Sequence, residues 1–173
     1  MQLNTTLEDH RIAKLAAFAI CLHVLEAAFP SPLPGVKPGV ANIVVLFVLY
    51  QYGLKTAIWV SLLRVFASSL LLGQFLSPTF LLSLSGALVS LLVLVLVQFL
   101  PRRFFSAVTF SILAAFGHIA GQLCLVRIWL IPDASILALV PIFALAALLF
   151  GLLNGLIVGK LLDQVEQEKR SSG

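Results

Sequence analysis

Charge is scarce in this chain. Only 10% of its 173 residues are Asp, Glu, Lys or Arg, where a soluble globular domain carries roughly a quarter. The seven acidic residues lie mostly near the two ends. They are too few for a metal-assisted active site or for paired Asp-rich motifs that hold magnesium on a diphosphate. A Ser-His-Asp order, a zinc-type His/Glu cluster, a nucleophile elbow and a Walker lysine motif are all missing. The expectation is a protein that is not itself an enzyme and binds no metal or cofactor. The two cysteines, Cys21 and Cys124, fall within apolar runs, where a thiol acts as a small hydrophobe, so no disulfide is expected. Period-two alternation of a membrane β-barrel is absent. No internal repeat or second domain is visible, and the chain is too short for a complete transporter of paired inverted repeats.

What remains is apolar: 61% of the residues are hydrophobic and the mean hydropathy is +1.11. That composition specifies an all-α polytopic membrane protein, because only helices satisfy the backbone within a bilayer without a barrel. Six spans are expected, at about 12–29, 41–52, 56–72, 79–100, 105–125 and 136–162. The second is short for a full crossing. Residues 1–11 read as a polar N-terminal tail, with no cleavable signal. Residues 12–162 read as the membrane domain and 163–173 as a charged C-terminal tail into which the last helix frays.

Orientation follows from the basic residues. With the N-terminus inside, Arg11, Lys14, Lys55, Arg102, Arg103, Lys160, Lys169 and Arg170 are cytoplasmic, against Lys37 and Arg127 outside. The positive-inside rule therefore predicts both termini in the cytoplasm. It also accounts for the net charge of +4 without a nucleic-acid partner.

One stretch interrupts the helices: Pro30-Ser31-Pro32-Leu33-Pro34-Gly35-Val36-Lys37-Pro38-Gly39-Val40-Ala41-Asn42. Four prolines forbid a regular helix there, and Gly35 and Gly39 permit tight backbone turns. Lys37 and Asn42 supply a cation and an amide on the outer face. Two readings stand, a plain connector and a binding loop.

Within the spans, ionisable and amide groups are costly and mark candidates for function. His23 and Glu26 share one face of the first helix. Arg64 lies mid-way along the third, in a stripe of Ala57, Ser61 and Ser68. His118 and Gln122 form a second polar stripe, with Ser111 and Ala115 below them. Gln74, Ser77 and Thr79 add polar groups at the outer end. Structural alternatives are a neutralising Glu26–Arg64 pair, a His118–Gln122 clamp between helices, and packing roles for Asn154 and for the small face Ser83, Gly86, Ala87 and Ser90. Ala13 and Ala17 on the first helix would let another helix approach closely, inside the bundle or from a partner.

Four stretches together, residues 34–44, Ser61-Leu62-Leu63-Arg64, 76–87 and Gly117-His118-Ile119-Ala120-Gly121-Gln122-Leu123, resemble the Gx transporter family, also labelled heptaprenyl diphosphate synthase component I. The signature is Gly-x-Lys-x-Gly-x-Ala-Asn over 35–42, and the likeness spans about 12–160. Ile119 stands where the family pattern has Asn. The resemblance implies a fold similar to the substrate-binding S components of energy-coupling factor transporters. These are six-helix proteins with an outward-facing site under the first loop, and Ala13 and Ala17 would dock a transmembrane coupling subunit that works with ATPases. It also implies a bacterial cytoplasmic membrane location.

The leading expectation is a membrane component that binds or translocates an unidentified small molecule, with Gly35, Lys37, Gly39, Asn42, Glu26, Arg64, His118 and Gln122 as candidate site residues. Two rivals are a non-catalytic subunit supporting a flavin- or quinone-linked redox system, and an accessory subunit of a prenyl diphosphate synthase.

Overall fold

The computed structural model describes residues 6–28, 39–99, 106–131 and 133–171, without the side chains of residues 134 and 135. Within them the chain forms six α-helices: α1 (Leu7–Ala28), α2 (Ala41–Tyr52), α3 (Leu54–Leu71), α4 (Pro78–Val97), α5 (Ala107–Leu125) and α6 (Val140–Ser171). A π-helical turn, Val126–Leu130, extends α5, and a 3-10 turn, Ala134–Leu139, leads into α6. No strand occurs among the described residues. Four helical stretches are long and apolar enough to cross a bilayer: Leu54–Leu71, Pro78–Val97, Ala107–Leu130 and Ile136–Ser171. A multi-pass membrane protein fits this pattern.

The remaining two helices differ from ordinary spans. Helix α1 starts at Leu7 rather than near residue 12, because Thr6 and Asp9 cap it reciprocally. The Thr6 backbone N–H and hydroxyl donate to Asp9 Oδ2, both at 2.8 Å, and the Asp9 N–H donates to Thr6 Oγ1 at 3.2 Å. These exposed hydrogen bonds, the one from the Thr6 backbone N–H first, hold the Asp9 carboxyl below its ordinary value of 3.8. Helix α2 has 12 residues, about 18 Å at 1.5 Å per residue, and does not match a bilayer. It is apolar all round and largely buried, with Ile43, Val44, Val45, Leu46, Val48 and Leu49 in the main core, as expected of a helix surrounded by others. It packs against α1, α3 and α6, and touches α5. The bundle runs α1–α3–α4–α5–α6 around it.

Turn chemistry sets the connections. Gly53, at φ 87°, is the single residue between α2 and α3. A Schellman motif ends α3. Gly73 takes φ 65°, its N–H reaches Leu70 O at 3.2 Å, and the Gln74 N–H reaches Ser69 O at 2.8 Å. Ser77 caps α4 by accepting the Phe80 N–H at 3.3 Å, with Pro78 in the first turn. Phe66, Phe75 and Phe80 stack around this corner, with ring centroids 5.1–6.5 Å apart. Helix α6 does not fray after Leu162 but continues to Ser171. The Glu166–Arg170 pair, at 2.8 Å and one turn apart, and the basic residues of its last turn support that extension.

Glycines bring α4, α5 and α6 together. A Cβ at Gly121 would lie 2.6 Å from Ser85 O, one at Gly155 2.5 Å from Val108 Cα, and one at Gly151 2.9 Å from Ile112 Cα. Small-xxx-small spacing allows such backbone approach between membrane helices. Leu88, Leu92 and Leu96 on α4 and Leu145, Leu149, Leu152 and Leu156 on α6 point outward, a belt suited to lipid rather than water. Cys21 and Cys124 are free and also lie on this outer surface, not in the interior.

The start of α1 and the end of α6 lie at the same end of the bundle. Glu8 reaches Lys55 at 3.5 Å, the Arg11 guanidinium sits 4.8 Å from the centre of the Tyr52 ring, and the last turns of α6 meet Tyr50 and Gln51. The opposite end gathers the start of α2, the α3–α4 corner and the link from α5 to α6.

Candidate functional site

At that opposite end the six helices enclose a cavity of about 150 Å³. Each helix contributes. His23 and Glu26 come from α1, Asn42 from α2, Arg64 and Val65 from α3, Thr79 and Ser83 from α4, His118 and Gln122 from α5, and Phe150 and Asn154 from α6, with Gly39 just ahead of α2. A smaller void of about 30 Å³ lies beyond it, sharing Asn42, Ala115 and Asn154 and adding Ser61, Ser90 and Ser111. It has room for about one water among polar partners. The polar stripes expected on separate helices thus face one interior.

Gly39 is the junction. Its φ of 67° is one that side-chain-bearing residues avoid. Its N–H donates to Glu26 Oε1, which also accepts the Val40 N–H at 3.3 Å. Its carbonyl accepts from the Asn154 side-chain amide at 3.3 Å and from the Asn42 N–H at 2.8 Å. One glycine therefore ties α1, α2 and α6. The Glu26 carboxylate occupies the N-terminal end of α2, where unsatisfied N–H groups and the helix dipole favour an anion. Glu26 and Arg64 are not in direct contact as an ion pair, which among the described residues only Glu8–Lys55 and Glu166–Arg170 form, but the Glu26 charge still acts on Arg64 at longer range.

Arg64 is 4% exposed, and its Nε has no hydrogen-bond partner among the described residues. Its stripe is buried as expected, with Ala57 at 0% and Ser61 and Ser68 at 2% exposed. The Ser68 hydroxyl bonds back to Val65 O at 3.3 Å. His118 and Gln122 contact each other along α5, Nε2 to Nε2 at 3.2 Å. The His118 ring fits against α4 because Gly86 has no side chain; a Cβ there would meet the ring at 2.8 Å.

Among the expected site residues, Gly39, Asn42, Glu26, Arg64, His118 and Gln122 converge on the cavity. Gly35 and Lys37 lie outside the described residues. Gln74 serves the α3 terminus and Ser77 the α4 cap. Ala13 and Ala17 are exposed on the outside of α1, while Ala16 and Ala19 face the core. Among the described residues no three His, Cys, Asp or Glu side chains gather as metal ligands would.

The family model described as heptaprenyl diphosphate synthase component I matches residues 15–161. The chain belongs to that family. The match runs from α1 to the middle of α6 and so takes in the whole cavity wall. Neither the curated proteins nor the solved structures contain a match. Asn154 is the cavity residue whose role a sequence reading undervalues. An isolated Asn in an apolar helix looks like a packing residue, and only the fold brings it to the Gly39 carbonyl. Gly151 and Gly155, by contrast, carry a readable signal in their four-residue spacing.

Proposed function

We propose that this chain is the integral membrane, small-molecule-binding component of a transport or uptake system, acting without chemistry of its own. The observation that carries this reading is the shared cavity. Six helices direct polar side chains into one interior, and a buried arginine there lacks a hydrogen-bond partner for its Nε among the described residues. Intramembrane ionisable groups that face a cavity mark ligand or ion pathways. In a bacterial cytoplasmic membrane with both termini inside, the positive-inside rule puts the cavity on the outer side. Residues 30–42 would then cap it, with Lys37 meeting an anionic group at its mouth. Any ATP-driven step would come from a partner docked on the small face of α1, where Ala13 and Ala17 are exposed. Native mass spectrometry on gently extracted protein tests this directly. A stoichiometric small molecule, lost in Asn42→Ala, is the expected result, and protein that is consistently empty counts against it.

The family's name favours a second reading, an accessory subunit of a prenyl diphosphate synthase. That reading requires that a soluble synthase partner gain chain-elongation activity when this protein is added in detergent or nanodiscs. A non-catalytic role beside a flavin- or quinone-linked enzyme would show instead as co-purification with that enzyme and an empty cavity.

A further inference from the structure

We infer that Arg64 anchors an oxyanion, the carboxylate or phosphate group of a ligand that also has an apolar body. The inference rests on the binding reading above and names the class of ligand. A guanidinium removed from water and left without an acceptor is costly, and membrane proteins keep such groups only where something pairs with them. Arg64 is 4% exposed, lines the cavity, and has no acceptor for its Nε among the described residues.

The carboxylate on the same cavity wall is already engaged. Glu26 Oε1 takes two N–H groups at the start of α2, so its charge is directed at that helix terminus. The Ser68 and Ser69 hydroxyls donate to the carbonyls of Val65 and Phe66. Glu26 acts on Arg64 only at longer range, the Arg64 Nε has no acceptor among the described residues, and a planar, five-donor guanidinium suits the paired oxygens of a carboxylate or phosphate. The rest of the wall gives the ligand its second property. Val65, Leu82, Ile119, Ala147 and Phe150 are apolar, so a fully hydrated ion such as a free metal complex is poorly matched. At about 150 Å³ the cavity is below the roughly 300–1,000 Å³ of a drug-sized site. It therefore takes the head of the ligand and its first few carbons.

The test is thermal unfolding of the purified full-length protein in maltoside detergent with chemically defined probes. These are sodium acetate and sodium phosphate as free anions, decanoate and decyl phosphate as amphiphilic ones, decanol as a neutral control and decyltrimethylammonium as a cationic one. An oxyanion probe at about a hundredfold excess over its Kd should raise the melting temperature of the wild type by on the order of 5–10 °C. Arg64→Met should abolish that shift while melting at or above the wild-type temperature without ligand, because it removes an unpaired buried charge. Arg64→Lys, which keeps the charge without the fork, should weaken binding at least tenfold. If acetate or phosphate suffices, the source is a free anion. If only decanoate or decyl phosphate shifts the protein, the source is amphiphilic. The second result supports the inference in full, whereas the first supports the oxyanion anchor and overturns the apolar body.

Calorimetric titration of the wild type with decanoate against decanol gives the same answer with no variant. Equal shifts by decanol and decanoate, equal oxyanion shifts in wild type and Arg64→Met, or no oxyanion shift in the wild type would overturn it. The binding reading survives those outcomes if native mass spectrometry still finds a bound neutral or cationic molecule. It falls with the inference if the protein is also empty.

Discussion

Substituting alanine at Gly155 and Gly159, one helical turn apart on α6, separates packing from helix propensity. A Cβ at Gly155 would lie 2.5 Å from Val108 Cα, 3.0 Å from Ser111 Cβ and 3.3 Å from Ala107 O, whereas at Gly159 none of the described residues lies within 4 Å. Ordinary contact needs 3.4 Å or more, and the obstructing Val108 atom is backbone, so a rotamer change does not relieve it. Helix α6 must move away from α5 by on the order of 1 Å. Overpacking of this kind costs about 1–3 kcal/mol, and a backbone obstacle puts this case in the upper half. Alanine returns about 1 kcal/mol in helix propensity. Gly155→Ala should therefore lose a net of about 1–2 kcal/mol, while Gly159→Ala should be neutral or more stable than wild type. The same retreat stretches the bond from the neighbouring Asn154 to Gly39 O, now 3.3 Å, so ligand retention should fall with stability. Reversible unfolding in mixed detergent micelles, followed by circular dichroism, measures both variants. If Gly155→Ala is as stable as Gly159→Ala, close approach of α5 and α6 is not what holds this half of the bundle.

Glu26→Ala strands the Gly39 and Val40 N–H groups and should cost about 2–3 kcal/mol. Glu26→Gln keeps an acceptor and should lose about 1 kcal/mol. The same unfolding assay ranks them, and equal losses would show that the acceptor contributes nothing beyond its charge. Gly39→Ala places a side chain at φ 67° with its Cβ 3.0 Å from Asn42 Nδ2. A loss of about 1–2 kcal/mol is expected, with protection of the α2 amides in hydrogen exchange as the local readout. Asp9, whose carboxyl is held below 3.8 by its bonds from Thr6, stabilises the start of α1 fully above pH 3.8. That contribution should disappear as the pH falls through the lowered value. Amide exchange in the first turn of α1 should accelerate across that interval in the wild type and not in Asp9→Asn.

Much of the architecture was legible because membranes leave the backbone few options. Long apolar runs bounded by Gly53, Gly73 and Ser77-Pro78 give α2 to the residue and the ends of α3 and α4 to within about three residues, since these boundaries have their own local chemistry. The ends of α1 and α6 were misjudged for the same reason in reverse. Polarity was taken as the end of helix, whereas the Thr6–Asp9 cap and the Glu166–Arg170 pair extend helix into water. Arg64, Glu26, His118 and Gln122 stood out as polar groups in apolar surroundings, but their pairings did not. Glu26 reads as a counter-ion of Arg64, and the fold adds the α2 N-terminus as its direct hydrogen-bond partner. His118 and Gln122 read as a bridge between helices; they bond to each other along α5, and the His118 ring also lies against Gly86 of α4.

Composition and patterning alone therefore determined that this chain is a helical membrane protein, which of its residues are too polar for lipid, and that most of its basic charge lies toward one end. These follow from the transfer free energy of each side chain and need no knowledge of neighbours. Only the tertiary structure decided that the short α2 is a core helix, that Asn154 and Gly39 form one junction, and that Glu26 is engaged while Arg64 is left facing a cavity. Those outcomes depend on which helices approach closely enough for a hydrogen bond. Glycine contacts between backbones many residues apart set that distance.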